Sequence, residues 1–160
     1  QLIIDVLNAG SNSNNIVHGS AALTLAKALT VYEEFGSADI PDDGQRYFIV
    51  SPAGWADLLQ IDQFSRAEYV GEADLPYAGG LTAKRWLGFM FFTHSGLSLS
   101  STTRDCHAYH KSSVGLATGA DIRTEINYIP EKVSNLVTSY MSMGAVMIDN
   151  LGAIEVQITE

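Results

Sequence analysis

The stretch DDGQRYFIVSPAGWADLLQ, residues 42–60, predicts a turn, a strand and a helix in direct succession. Its first residues favour a tight reversal, and residues 46–50 then form an almost continuous apolar run that is typical of a strand buried on both faces. Ser51 is a favoured N-cap, and Pro52 is a favoured first helical residue because its ring fixes φ. A helix over 53–60 is therefore expected.

A serine between a strand and a helix also raises the question of a catalytic nucleophile. The turn that presents such a serine has a glycine two positions before it and uses the N–H of the next residue as an oxyanion donor. The sequence VSPAG lacks that glycine and places Pro52, which has no N–H, directly after Ser51. Ser51 is therefore interpreted as a helix cap, and the helix is expected to bury Trp55, Leu58 and Leu59.

The composition indicates a globular chain with a hydrophobic core, since 46% of its 160 residues are hydrophobic and 17% are charged. The formal net charge of -9 argues against a chain that binds nucleic acid or an anionic membrane through a basic face. Cys106 is the single cysteine and cannot form an internal disulfide, which favours a reducing compartment. The longest apolar runs, at 88–92 and 144–148, are far too short to span a bilayer.

Upstream of the opening stretch, apolar residues at helical intervals predict one helix from Ile16 to Phe35. Asn14 or Asn15 would be its N-cap, and Gly36 would end it. Such a helix of about twenty residues would be roughly 30 Å long and could act as a strut for other elements. The polar tract GSNSNN at 10–15 is expected to be a loop or a linker. The N-terminal residues lack the basic region of a signal peptide, and the missing initiator methionine suggests a chain cut from a longer one.

Downstream, residues 61–119 alternate short strand candidates with breaks rich in glycine and serine. This alternation of short strands and breaks favours an α+β unit with a mixed or antiparallel sheet. The strand candidates lie at 81–86, 88–95 and 106–110, and one short helix is predicted from Lys111 to Ala117.

The last forty residues predict strands at 122–128, 145–149 and 153–158, the last two around the turn DNLG. Residues 132–143 are ambiguous. Val133, Leu136, Val137, Tyr140 and Met141 fit a helical stripe after Pro130, but periodicity alone does not decide between helix and strand there.

The strongest candidate for a metal site is the cluster of Cys106, His107 and His110, with His94 upstream, because thiolates and imidazoles bind zinc. On a strand, Cys106 and His110 would point one way and His107 the other. The sequence also lacks the C-x-x-C and H-E-x-x-H spacings. A half-buried strand with ordinary polar partners is the favoured interpretation, and a small metal-dependent enzyme using these residues stays an alternative.

Other polar groups lead to no assigned site. The acidic residues Glu33, Glu34, Asp39, Asp42 and Asp43 lack the spacing of an EF-hand loop and are interpreted as a solvated turn. The glycine pair 79–80 lacks a P-loop lysine. The basic residues Lys84, Arg85, Arg104 and Lys111 are expected to meet acidic surfaces of a neighbouring subunit. No catalytic, cofactor-binding or metal-binding residue is assigned.

The order of these features resembles the major capsid proteins of tailed bacteriophages, which have the Hong Kong 97 type fold. The turn Ile40 to Arg46, the strand end Ile49 to Pro52 and the strand Gly88 to Phe91 are similar to that family's successive motifs. AYHKSSVGLATG at 108–119 and TSYMSMGAVMIDNLGAIEVQI at 138–158 resemble later segments, most of all in the short-tailed phage branch. The resemblance extends from about Ile16 to the end of the chain and rests on the ordered series.

The resemblance implies an α+β fold with a long spine helix, a peripheral domain with a long-stranded sheet, and an axial domain whose central mixed sheet is flanked by short helices. Residues 1–37 and 122–160 would be the two parts of the peripheral domain, and 38–121 the axial domain. The chain would be a fragment without the N-terminal arm and extended loop of the family.

The resemblance also implies a function without enzymatic chemistry or a cofactor. The chain would be a structural subunit of an icosahedral phage or prophage shell, assembling in the bacterial cytoplasm into pentamers and hexamers around packaged DNA. Scaffolding and portal proteins would be its partners, DNA would be contacted weakly at most, and no membrane would be involved. A shell of the same fold around enzyme cargo, an encapsulin, is the first alternative.

Overall fold

The computed structural model describes residues 1–9, 14–17, 19–66 and 83–160. Most of the tract 10–15 and the glycine pair 79–80 lie outside these residues. None of the described helices is long and apolar enough to cross a membrane. The helices of the described residues are α1 (Leu2–Ala9), α2 (Leu25–Ser37), α3 (Pro52–Leu59) and α4 (Asp62–Ser65), and the strands are β1 (Asn14–Ile16), β2 (Arg46–Val50), β3 (Ala83–Trp86), β4 (Phe89–Thr93), β5 (Leu99–Ser100), β6 (Thr103–His110), β7 (Val114–Ile129), β8 (Ser134–Met147) and β9 (Ala153–Thr159).

The described strands form one large sheet and one long ribbon. The large sheet has the order β1-β9-β6-β2-β4-β3, with β5 paired to β6, and the ribbon consists of β7 and β8. β2 runs parallel to β4 and β1 parallel to β9, whereas the other described pairings are antiparallel. The sheet is therefore mixed, and the predicted α+β class is confirmed.

The strand-to-helix corner of the opening stretch forms as predicted. The Ser51 hydroxyl accepts the N–H of Gly54 at 3.0 Å, and Pro52 begins α3. Leu58 is fully buried, and Trp55 and Leu59 pack against the core while remaining partly accessible. Local capping chemistry thus fixes how the chain turns from β2 onto the face of the sheet.

The core is an aromatic cluster between the sheet and its helices. Phe48 of β2 stacks on Phe91 of β4 with ring centroids 4.7 Å apart. Phe64 of α4 meets Phe91 edge-on at 6.0 Å, and Phe35 of α2 meets Phe89 edge-on at 5.1 Å. Offset and edge-to-face contacts of this kind add to the stabilisation from burial.

Arg46 is a buried cation that joins α2 to the sheet. Its guanidinium lies over the rings of Phe35 and Phe89 and donates to the carbonyls of Ile40 and Pro41. A buried guanidinium needs such acceptors, because its desolvation is otherwise costly. The carbonyls that follow α2 are thereby fixed at the start of β2.

The predicted helix from Ile16 to Phe35 is wrong in its first half. α2 begins at Leu25, and Thr24, rather than Asn14 or Asn15, caps it by accepting the N–H of Lys27 at 3.4 Å. Asn14–Ile16 instead pair with β9, so their backbone groups are used in the sheet. Gly19 and Ser20 have positive φ, which interrupts any helix at that point.

The ribbon settles the ambiguous C-terminal segment as strand. The predicted strand at 122–128 is confirmed within β7, and residues 132–143 lie largely in β8. The helix predicted from Lys111 to Ala117 is wrong, because only Lys111–Ser113 form a 3-10 turn before β7 begins. The segment predicted as a strand at 145–149 is partly the end of β8, and the strand at 153–158 is confirmed as β9.

The base of the ribbon packs tightly at Gly152. A Cβ on this residue would overlap the Ser113 hydroxyl and lie 3.5 Å from the Ile40 side chain. We expect Gly152→Ala to lower the free energy of unfolding by about 1–3 kcal/mol through overpacking, measured by thermal denaturation. Gly144→Ala is the matched control, because nothing described lies within 4 Å of its Cβ position.

A second comparison tests the same overpacking by changing Ser113. Its Oγ has no hydrogen-bond partner among the described residues, so Ser113→Ala removes the overlapping atom without breaking a described bond. We expect Gly152→Ala to cost less in a Ser113→Ala background. An equal cost in both backgrounds would contradict the overpacking account.

Candidate functional site

The cysteine and histidine cluster lies on β6, and its members face different neighbours. Cys106 is fully buried, and burial raises the pKa of its thiol to about 12. A thiol with so high a pKa is protonated at neutral pH and is a poor nucleophile or metal ligand. Burial therefore makes Cys106 a packing residue.

His107 lies on the opposite face of β6, as the alternation of the strand predicts. Its Nε2 is 2.9 Å from the Asn8 side-chain oxygen at the end of α1. Its Nδ1 is buried without a hydrogen-bond partner among the described residues. Burial lowers the His107 pKa to about 4, so the ring is neutral at pH 7.

His110 and His94 have separate partners. His110 contacts the Asp43 carboxylate at 3.1 Å and the Ser112 hydroxyl at 2.7 Å. His94 accepts the N–H of Gly96 on its Nδ1 at 2.8 Å. Among the described residues, no three His, Cys, Asp or Glu side chains lie close enough together to hold a metal ion. The structure thus gives the metal-dependent alternative no assembled ligand set in this part of the chain.

Three of the four basic residues expected to face a neighbour have partners within the chain. Lys84 is buried, donates to the Phe64 carbonyl and lies 4.4 Å from the centroid of the Phe64 ring. Arg104 forms an ion pair with Glu160 at 2.8 Å, and Arg85 donates to the Gly44 carbonyl at 3.3 Å. The intersubunit role expected for Lys84 is therefore wrong, since its side chain is enclosed.

The ribbon is the candidate functional site, because it exposes apolar side chains along most of its length. β7 has 16 residues, which corresponds to roughly 50 Å of extended chain. Ile126 is 69% exposed and Val137 is 60% exposed, so neither contributes to the core. The other large hydrophobic residues exposed on the ribbon are Leu116, Ile122, Tyr128, Val133, Leu136, Tyr140, Met141, Met143 and Val146.

The strand register gives the ribbon two different faces. Ile126 pairs with Val137, and Thr124 pairs with Ser139, with their hydroxyls 3.0 Å apart. Among the positions that the register pairs, the face that includes these pairs carries no charged residue, and we call it the uncharged face. Its paired members are Val114, Leu116, Thr118, Thr124, Ile126, Tyr128, Asn135, Val137, Ser139, Met143, Ala145 and Met147. Met141 lies on the same side by the alternation of side chains along β8. The opposite face includes Arg123 and Glu125.

A cavity of about 670 Å³ lies where the uncharged face meets the main sheet. Helix α1 forms one wall, the sheet contributes Phe92 and Tyr109, and the ribbon contributes Leu116, Met141 and Met143. The lining is mostly apolar, so the uncharged face continues into a concave surface at its base. Monomeric proteins rarely expose an apolar surface of this extent, and such surfaces usually mark contacts with other molecules.

Sequence reasoning missed this site for a physical reason. The alternation at 122–128 was visible, but the helical spacing of the apolar residues at 132–143 concealed the second strand. The signal available in the sequence was Pro130, which stands between two apolar segments and begins the turn Pro130–Lys132.

Comparisons with known proteins agree with this architecture. A family model for phage capsid protein matches residues 5–160. A search of the curated proteins finds no match.

Solved structures of low sequence identity share the fold. A structure of Mycobacterium phage Che8 is 18% identical with a TM-score of 0.71, covering 95% of this chain and 55% of that chain. The mature capsid of bacteriophage PhiM1 is 12% identical with a TM-score of 0.67, covering 99% and 58%. The SrpI encapsulin complex from Synechococcus elongatus is 10% identical with a TM-score of 0.61, covering 96% and 56%. This chain thus spans a little over half the length of these three chains.

Proposed function

Because the chain belongs to the phage capsid protein family, we propose that it is part of a subunit that self-assembles into the icosahedral shell of a phage or prophage. Membership in this family makes it a structural protein and not an enzyme, and its place is the capsid of the virion. The observation that supports the proposal best is the ribbon with its uncharged face. A two-stranded ribbon is marginally stable alone in water, so this surface needs cover from other polypeptide.

Closed shells require contacts between different surfaces of identical subunits, repeated around local symmetry axes. Each contact can be weak when every subunit makes many of them. The proposal places the subunits in pentamers and hexamers, with residues 1–37 and 122–160 as peripheral domain and 38–121 as axial domain. β9 belongs to the main sheet together with β2 and β6, so the two proposed domains share strands at their junction.

The proposed partners extend beyond further copies of the chain. Scaffolding and portal proteins would act during assembly in the bacterial cytoplasm. The net charge of -9 supports weak contact with packaged DNA at most, since like charges repel.

An assembly experiment with the full-length protein tests the ribbon directly. We expect Ile126→Glu combined with Val137→Glu to reduce shell yield at least ~10-fold, because each subunit contact would have to bury two carboxylates. The same subunit should stay folded, as both side chains are exposed. Electron microscopy and sedimentation measure shell yield, and circular dichroism checks the fold.

The matched control adds the same charge to the other face. Asn127→Glu combined with Thr138→Glu lies one residue away on each strand, on the face that already includes Glu125. Shells from the control but not from the first variant would support the proposal. If the unmodified full-length protein forms no shells under assembly conditions, the proposed function is wrong, whereas equal yields from both variants would remove only the ribbon from the contact.

The similarity to an encapsulin supports one second candidate, a shell around enzyme cargo. Purified particles distinguish the two functions by their contents. Packaged DNA supports the phage shell, and a stoichiometric protein cargo without DNA supports the encapsulin.

A further inference from the structure

A serine, a histidine and an aspartate form a hydrogen-bonded chain at the base of the ribbon. Ser112 Oγ lies 2.7 Å from His110 Nδ1, and His110 Nε2 lies 3.1 Å from Asp43 Oδ1. Asp43 is held in turn by Gln45, whose backbone N–H and side-chain amide donate to its two oxygens at 2.9 Å and 3.0 Å. A nucleophile, a base and a group that orients the base are thus in contact.

The hydrogen bonds define which ring nitrogen of His110 carries the proton. The backbone N–H of Ser112 donates to His110 Nδ1 at 3.3 Å, so Nδ1 is an acceptor. The hydrogen bond from His110 lowers the pKa of Asp43, whose ionised carboxylate can only accept. The ring proton therefore lies on Nε2, and the lone pair of Nδ1 faces the Ser112 hydroxyl.

The three hydrogen-bonded residues differ in their exposure to solvent. A reactive serine requires an enclosed base and an accessible hydroxyl. The His110 side chain is 5% exposed, so the protein encloses its ring, whereas the Asp43 side chain is 39% exposed. Ser112 is exposed and can meet a reagent from solvent. Asp43 comes from the turn before β2, His110 from the end of β6 and Ser112 from the 3-10 turn before β7, and the pairing of β2 with β6 brings them together.

We propose that Ser112 is a reactive serine that accepts an acyl or phosphonyl group from an electrophile with a good leaving group. The Ser112 O–H proton moves to His110 Nδ1 as Oγ forms a bond to the carbonyl carbon or phosphorus. The leaving group departs with its electron pair, and the protonated His110 then releases its proton to that group or to water. This is one covalent event per chain and goes beyond the structural role in a shell.

A fluorophosphonate probe tests the proposal on the full-length protein, with fluoride as leaving group and mass spectrometry of the labelled peptides as readout. We expect Ser112 to react about 100-fold faster than Ser139, an exposed serine whose hydroxyl contacts that of Thr124. Ser112→Ala should remove the fast label and leave the fold unchanged, because Ser112 is exposed.

Two further variants separate activation from simple exposure. Asp43→Asn should slow labelling of Ser112 at least ~10-fold, because it removes the charge that orients and stabilises the His110 ring. Ser101→Ala, at an exposed turn away from His110, should leave the labelling of Ser112 unchanged. Equal labelling of Ser112 and Ser139, or fast labelling of Ser112 that persists in a folded Asp43→Asn protein, would overturn the proposal.

Discussion

Replacing Phe91 by alanine is expected to lower the free energy of unfolding by about 4 kcal/mol, a large fraction of the stability of a domain this size. Phe91 is 1% exposed and lies at the centre of the aromatic cluster. Its ring contacts are with Phe48, Phe64, Trp86 and Phe89, at centroid distances of 4.7, 6.0, 5.7 and 6.3 Å. The substitution removes all four contacts and leaves a cavity that strands on both sides prevent from closing.

Urea unfolding followed by tryptophan fluorescence measures this loss, since the linear dependence on denaturant gives the free energy in water. Phe92→Ala is the matched control, because Phe92 is the next residue on β4 and points to the other face. Phe92 is only partly buried and meets Tyr47 at 6.4 Å, so we expect a cost of about 1–2 kcal/mol. Equal costs for the two variants would show that the cluster around Phe91 is not the stabilising core.

The corner from β2 to α3 could be predicted because its determinants are local. The capping serine, the proline at the first helical position and the apolar strand lie within eight residues of one another, and each acts on its immediate neighbours. The structure agrees with the prediction at Ser51, Pro52 and Leu58. Short-range chemistry of this kind is readable in one sequence.

The start of α2 could not be predicted, because a distant strand competes for the residues before it. Residues 14–16 pair with residues 154–156 of β9, about as far away as this chain allows. The backbone groups that would begin a helix at Ile16 are used in that pairing. Tertiary contacts therefore overrode a helical pattern that was present in the side chains.

Dependence on distant contacts also concealed the ribbon and the hydrogen-bonded residues at its base. Helical spacing at 132–143 gave way to strand because β7 supplies backbone partners along most of β8. The hydrogen bond between Asp43 and His110 joins residues 67 positions apart, and no known sequence motif has this spacing. Both features depend on the pairing of elements, which a single sequence does not encode as a local pattern.

Acid is expected to destabilise the protein through His107, by about 3 kcal/mol between pH 6.5 and pH 4. Burial lowers the His107 pKa in the folded protein to about 4. In the unfolded chain the imidazole regains its ordinary pKa of 6.5. Between these values the unfolded state binds a proton that the folded state excludes, so stability is lost as pH falls through this window.

The geometry around the ring explains why the folded state excludes this proton. His107 Nε2 is hydrogen-bonded to the Asn8 side-chain oxygen, which leaves Nδ1 as the site for a second proton. Nδ1 is buried without a partner among the described residues, so its N–H would be a desolvated cationic donor with no described acceptor. The folded protein therefore gains a proton at Nδ1 only at a high cost in free energy.

Urea unfolding at pH 7, 6, 5 and 4 isolates this contribution when it is compared between variants. His107→Gln keeps a polar side chain opposite Asn8 but cannot titrate, so its stability should fall about 3 kcal/mol less than that of the parent across the window. Cys106→Ala, a change at the neighbouring buried position, is the control, because a thiol of pKa about 12 stays protonated throughout. The control should keep the full acid dependence whatever its stability at pH 7. If His107→Gln retains the parent's dependence on pH, carboxylates elsewhere cause the acid sensitivity and the buried imidazole does not.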